Sequence, residues 1–374
     1  MRVSVCRPGE LGASELARWQ ALQRAGGLEN PFLSPQFACD VDAVTDAARV
    51  AVVHDGAAIV GFLAYEQRPL RTARGIGGVL ANRQALICAP QAGISIREVL
   101  RGAGVDAFAF HALSVPAAGI DEQSMRAVEA RAIDLRVGFD SYLAAARAAG
   151  GRFVKQVERN RRRLHHAHPG TVRFEFATRE PAAVARVIGW KTAQYRRTGR
   201  PNPFASRAAQ ELIARLAQRD EQALGGCVSL LSVDGRPVAG DLSLRSTQVL
   251  AGWVTSYDMQ MAKWSPGTVT MLSLIEAASR AGLSTFDLGT GEALFKERLA
   301  NTATQLAQGW IARPSVAMLV TRAIHSPGDW TRRYVQSHPR ARDLARRARC
   351  QYGTLRTQLA SSAQISASGR PTAG

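Results

Sequence analysis

The chain has 374 residues, 46% of them hydrophobic, and carries 48 Lys and Arg against 30 Asp and Glu, a net charge of +18. Length and apolar content exclude a disordered or fibrous chain and allow two domains or one large one. The charge predicts attraction to polyanions, whether a polyphosphate cofactor, a nucleic acid or an anionic lipid.

The cysteines Cys6, Cys39, Cys88, Cys227 and Cys350 are scattered and form no CxxC pair. That argues against a disulfide framework or structural zinc site and for a reducing compartment. The opening MRVSVCRPGELGASELARWQ has no apolar leader, and no run reaches the roughly 18 apolar residues of a membrane span. A cytoplasmic protein is expected.

In chain order, residues 2–6 read as a strand and 10–25 as an amphipathic helix. AVVHDGAAIVGFLAY (51–65) reads as a β-hairpin turning at Asp55-Gly56. The glycine loop RGIGGVLANR leads to a strand at 85–88, a helix at 94–101 and a strand at 107–110. Residues 139–163 read as one charged helix, with a Glu158–Arg162 pair at i,i+4, bridging to a second half. There a strand at 171–177 and helices at 181–196 and 206–219 precede SLLSVDGRPVAGDLSL (229–244), a second hairpin. It aligns without gaps on the first: Asp55-Gly56 then Gly61 matches Asp234-Gly235 then Gly240. The closing glycine inside each second strand predicts a bulge or a close neighbour. Two similar α/β halves are the economical interpretation. A strand at 249–256, a helix ending at Gly282 and a strand at 285–288 follow. The tail from about 326 holds a basic helix at 339–356, with Arg340, Arg342, Arg346, Arg347 and Arg349, and a Ser/Ala/Gly-rich end expected to be disordered.

Common catalytic signatures are missing: there is no GxxxxGK, HExxH or GxSxG. His165, His166 and His168 have no carboxylate or cysteine at ligand spacing, and Arg161, Arg162 and Arg163 repel cations, so no metal is expected. The stretch WSPGTVTMLSLIEAASRAGLSTFDLGTGEALFKERLA (264–300) is more informative. Ser265 suits an N-cap and Pro266 the first helical position, which would leave free N–H groups at Gly267 and Thr268. A strand, a glycine turn and a helix in this order can cradle a phosphate, or can simply start a helix.

This stretch, with SYDMQMAK before it, resembles the C-terminal half of CelD/BcsL-type acetyltransferases of the GNAT superfamily. They are associated with bacterial cellulose and exopolysaccharide synthesis and resemble the tandem-fold FemAB transferases. NPFLSPQFACDV (30–41), the glycine loop 75–78 and KQVERNRRRL (155–164) extend the likeness over roughly 30–311. It implies two tandem GNAT-like domains, each a mixed, mostly antiparallel sheet flanked by helices: a degenerate one at 1–138 that shapes the acceptor cleft and an acyltransferase one at 139–315. A basic tail at 316–374 follows. It also implies acetyl-CoA or another acyl-CoA, its arm between strands 249–256 and 285–288, which splay apart in that fold.

Around that arm the implied cofactor-binding residues are Ser256, Ser265, Pro266, Gly267, Thr268, Gly289 and Lys296. Candidate catalytic groups are Asp287 and Glu292 as bases and Tyr257 as proton donor to the thiolate. Asp258, Arg159 and Arg162 are candidate substrate contacts. The expected reaction is direct attack of an amine, from an amino sugar or small metabolite in envelope polysaccharide formation, on the thioester. Two alternatives are an aminoacyl-tRNA-dependent transferase of FemAB type and a non-catalytic scaffold that meets a synthesis complex or anionic surface through the basic tail.

Overall fold

The computed structural model describes residues 1–312 apart from 90, 115–124, 150 and 292. The basic tail and Glu292 therefore lie outside the described residues. The elements run β1 (Arg2–Cys6), α1 (Ala13–Ala25), α2 (Pro35–Asp42), β2 (Ala48–Asp55), β3 (Ala58–Arg68), β4 (Thr72–Gly75), β5 (Gln84–Cys88), α3 (Ile96–Gly102), β6 (Ala107–Ser114) and β7 (Met125–Asp134). They continue with α4 (Phe139–Ala148), α5 (Arg152–Ala167), β8 (Arg173–Glu175), α6 (Ala183–Thr198), α7 (Arg207–Gln218), β9 (Gly225–Val233), β10 (Arg236–Arg245) and β11 (Val249–Tyr257). The last are α8 (Pro266–Arg280), β12 (Thr285–Thr290), α9 (Leu294–Leu299) and β13 (Thr302–Ala312).

All the described strands join one mostly antiparallel sheet, ordered β1-β2-β3-β4-β6-β13-β7-β12-β11-β10-β9-β8, with β5 joining β3 and β6. Parallel pairing occurs at β11–β12, β4–β6 and β5–β6. Strand β13, last in the sequence, inserts between β6 and β7 of the first half. The two halves share one sheet.

Both Asp-Gly hairpins form, but one residue out of phase. In the second, Asp234 (φ 51°) and Gly235 (φ 74°) are the two turn residues between Val233 and Arg236. In the first, pairing runs on through Asp55 to Ala58, and Gly56 (φ 57°) and Ala57 make the turn. The closing glycines are set by close neighbours. A Cβ on Gly240 would lie 2.6 Å from Val187 Cγ2, and one on Gly61 3.3 Å from the Ile87 carbonyl oxygen.

The single helix expected over 139–163 is two helices. A Cβ at Gly151 would fall 2.2 Å from the Ala146 carbonyl oxygen, so the chain turns a corner there that another residue could not take. Across this corner Glu158 pairs with Arg147, not with Arg162. Arg161 instead reaches Glu276 on α8 at 2.7 Å.

Helix α8 is buried on nearly every side. Val269, Leu272, Ile275 and Ala278 form one buried stripe, and Met271 and Leu274 are equally buried. Most of these join Ile133, Tyr142, Val154, Val157, Leu250, Phe286 and Leu288 in one core between the sheet and helices α4 and α5. Each such side chain contributes about 1.5–3 kcal/mol on burial. Gly282 (φ 78°) ends the helix as expected, with Leu283 N–H donating to the Ala278 carbonyl. On the opposite face Trp19, Phe32 and Phe37 of the first half share a core with Leu212, Leu216 and Ala251 of the second.

Candidate active site

Strands β11 and β12 pair in parallel at three positions only: Val249 with Thr285, Leu250 with Phe286 and Ala251 with Asp287. Beyond them the strands part. Strand β12 stays paired with β7 from Thr285 to Thr290, while β11 runs on to Tyr257 along β10. A bulge marks the fork on each strand, between Gly252 and Val254 on β11 and between Asp287 and Gly289 on β12. Backbone groups on the inner edges of a fork are not used up by ladder pairing and can meet a ligand.

The first half reaches across this fork. Asn82 Nδ2 donates to the Gly252 carbonyl at 3.3 Å, and its Oδ1 is buried with no hydrogen-bond partner among the described residues. Beside it Arg83 Nε donates to Asp287 Oδ2 at 2.8 Å, and Asn30 Nδ2 donates to the same oxygen at 2.7 Å. Gly289 N–H donates to Oδ1 at 2.7 Å. Asp287, expected as a proton-accepting base, is thus a carboxylate held by three donors, two of them from the other half. Phe32 meets Trp253 edge-on at 5.5 Å and closes the same face.

Two lysines serve the fork. Lys191 on α6 donates to the Thr255 carbonyl at 3.3 Å, and Lys296 on α9 to the Thr290 carbonyl at 2.9 Å. Burial lowers the pKa of both, and the charge of Lys191 adds to the effect at Lys296 while Asp287 opposes it. Lys296 was expected to meet a ligand; its ammonium instead braces the glycine turn after β12. Below Thr255, Asp241 is 1% exposed. Burial pushes its pKa up to about 6, against hydrogen bonds from Ser243 and Thr255 and the charge of Lys191. Thr255 Oγ1 donates to it at 2.6 Å.

The turn before α8 departs from expectation in one respect. Ser265 occupies the cap position, but in left-handed backbone (φ 52°) and without a side-chain capping bond. Its N–H goes to the Ala262 carbonyl, and the Thr268 N–H to the Ser265 carbonyl. Ser265 thus does not cap with its hydroxyl as expected, and the Thr268 N–H is not the free group predicted for it. Pro266 opens the helix as expected. Gly267 lies under the Tyr257 ring, where a Cβ would be 3.0 Å from Tyr257 Cδ1. Ser256 is turned away and donates to the Val187 carbonyl at 2.7 Å. Asp258 caps its own turn, accepting from Gln260 N–H. Arg159 and Arg162 lie outside the fork, on α5.

Among the described residues no group of three or more His, Cys, Asp or Glu is placed to hold a metal ion. No described helix is long and apolar enough to cross a membrane.

Residues 151–297 match the model of the acetyltransferase (GNAT) domain. Among curated proteins none matches the sequence. Similarity to solved structures includes the following three. The C-terminal domain of a protein described as a lysylphosphatidylglycerol synthetase, from Agrobacterium fabrum, is 16% identical, with a TM-score of 0.44 over 77% of this chain and 96% of that one. FemX is 9% identical, with a TM-score of 0.47 over 70% and 87%. A tandem GNAT protein from the clavulanic acid pathway is 13% identical, with a TM-score of 0.43 over 84% and 100%.

Sequence reasoning passed over Asn82, Arg83, Lys191 and Asp241. One signal was available. The chain has 44 arginines and only four lysines, and two of the four serve this fork. Arginine stays charged, whereas a buried lysine can shift its pKa and release a proton.

Proposed function

We propose that the protein is an acyl-CoA-dependent N-acyltransferase whose thioester lies in the fork between β11 and β12. The observation that carries this reading is the parting of the two strands after Ala251 and Asp287, beside a buried acceptor, Asn82 Oδ1, that lacks a donor. An amide N–H of the donor's pantetheine arm would satisfy it. Bound there, the donor supplies the activated acyl group. Lys191 holds positive charge at the β11 edge, where it would favour the oxygen that becomes negative as the amine attacks. The acceptor amine adds to the thioester carbon, the C–S bond breaks, the amine's proton passes to solvent, and the thiolate takes one from a donor that regains its own from solvent. Tyr257, at the open end of β11 and against Gly267, is the proton donor in this scheme. The resemblance to CelD/BcsL-type enzymes supports an amino sugar or related small amine as acceptor, in envelope polysaccharide formation.

The test is a thermal-shift titration with acetyl-CoA and CoA, of the native chain and of Gly267→Asp. Ligand at a hundred times its Kd should stabilise by about 2.7 kcal/mol. The variant, which forces a carboxylate between Tyr257 and the start of α8, should lose that gain. No shift with either ligand, together with a salt-sensitive shift with bulk tRNA, would replace this reading by aminoacyl transfer.

A further inference from the structure

A second feature adjoins the fork and lies outside it. On α5, Arg159, Arg162, Arg163 and His166 follow one another at i, i+3, i+4 and i+7, which places them on one helix face. With Trp264 they line a concavity of about 380 Å³. The opposite face of α5 is anchored by Val154, Val157 and Leu164 and by the Arg161–Glu276 pair to α8. Leu164 shares a cluster with Val269 and Trp264, which sets the C-terminal part of the stripe beside the start of α8; Trp264 immediately precedes the Ser265-Pro266 turn.

The charges here are not balanced. Among the described residues Arg159, Arg162 and Arg163 have no ion pair, while their neighbours do: Arg147 with Glu158, and Arg161 and Arg280 with Glu276. Glu158 and Glu276 are thus paired with cations outside the concavity, and the charge of Arg162 acts on Glu158 less than that of Arg147 does. Further positive charge gathers on the indole, with the Arg163 guanidinium 5.8 Å and Lys263 Nζ 5.2 Å from the Trp264 ring centroid. Cations drawn together around one ring repel each other, and a dianion among them would remove that repulsion. Guanidinium groups match phosphate oxygens in geometry and charge.

We infer that this concavity binds the terminal phosphate monoester at the nucleotide end of the donor, an inference that rests on the acyl-CoA reading above. A molecule with its thioester in the fork that runs along β11 past Tyr257 and the start of α8 arrives at Trp264 and the arginines. The pocket then distinguishes CoA from dephospho-CoA, which lacks only that phosphate.

The experiment is calorimetric titration of the full chain with CoA and with dephospho-CoA, for native protein and for the Arg159→Gln/Arg162→Gln/Arg163→Gln variant. These side chains are exposed, and a thermal melt of the variant confirms folding. Native protein should bind CoA at least about tenfold more tightly than dephospho-CoA, as one charge-assisted contact to phosphate gives. The variant should bind CoA no better than dephospho-CoA, with dephospho-CoA affinity unchanged. Equal affinity of the native protein for both ligands overturns the pocket assignment and leaves the acyl-CoA reading intact. Binding of neither ligand removes the acyl-CoA reading and the assignment with it. If in that case bulk tRNA binds and the variant does not, the arginines serve RNA and the assignment is again overturned.

Discussion

Arg83 and Asp287 stand 204 residues apart in sequence and meet at 2.8 Å, their side chains only 10% and 4% exposed. Replacing Arg83 by Met leaves the carboxylate buried with two neutral donors, the Asn30 amide and the Gly289 N–H. Removal of one partner from a buried ion pair costs about 3–5 kcal/mol, because a buried charge is left uncompensated. For a chain of this size that lowers the melting temperature by about 10 °C. Asp287→Asn should cost a similar amount, since it leaves Arg83 uncompensated. Arg83→Met/Asp287→Asn removes both charges and should recover most of the loss, giving a coupling of about 3 kcal/mol. Scanning calorimetry of the four proteins measures this cycle directly. Additive losses, with no coupling beyond about 0.5 kcal/mol, would refute the clamp. An Asp287→Asn variant that melts like the native protein yet transfers no acyl group would return Asp287 to the role of base.

Other perturbations read different parts of the site. Asp241 has a folded-state pKa of about 6 against an ordinary 3.8, so its contribution to stability is complete below 3.8 and is lost as pH rises towards 6. Asp241→Asn should therefore gain on the native protein by up to about 3 kcal/mol between pH 4 and pH 7; parallel pH–stability curves would contradict this. Lys191→Met removes a desolvated charge, so the melting temperature should hold or rise while transfer from acetyl-CoA falls at least about tenfold; unchanged transfer would free the fork of any need for that ammonium. Gly240→Ala places a Cβ 2.6 Å from Val187 and 3.0 Å from the Ser229 carbonyl oxygen. It should cost about 1–3 kcal/mol in chemical denaturation, as overpacking does.

Much of the fold was legible where the signal is local. Turn chemistry announced both Asp-Gly hairpins, and Pro266 and Gly282 marked the ends of α8. The phase of the first turn was not legible, because its choice of Gly56-Ala57 over Asp55-Gly56 is made by pairing with β2 rather than by the dipeptide. Strands β7 (MRAVEARAID) and β13 (TATQLAQGWIA) were passed over for a related reason. Each carries polar or charged residues at exposed positions, and each is a strand because it finds a partner far away in sequence. The same holds at the site. FDLGTGE pointed to Asp287, but its partner Arg83 sits in a glycine loop whose destination only the closed sheet reveals.

The shared sheet changes what the first half is for. Read from its repeat, that half is a worn copy of the second, set beside it. The strand order makes it structural to the fork. Residues 151–297, which match the acetyltransferase domain, contain β12 but neither of the strands that continue the sheet beyond it, β7 and β13. The bulge on β12 at the fork lies in its ladder with β7, and β7 is held in turn by β13. Arg83, Asn82 and Asn30 then fix the parted strands from the other side. The opening between β11 and β12 is thus held from β7, β13 and two loops of the first half, all outside the segment that carries the family pattern. A substitution at Asn30 or Arg83, far from that segment in sequence, acts on the fork as directly as one at Asp287.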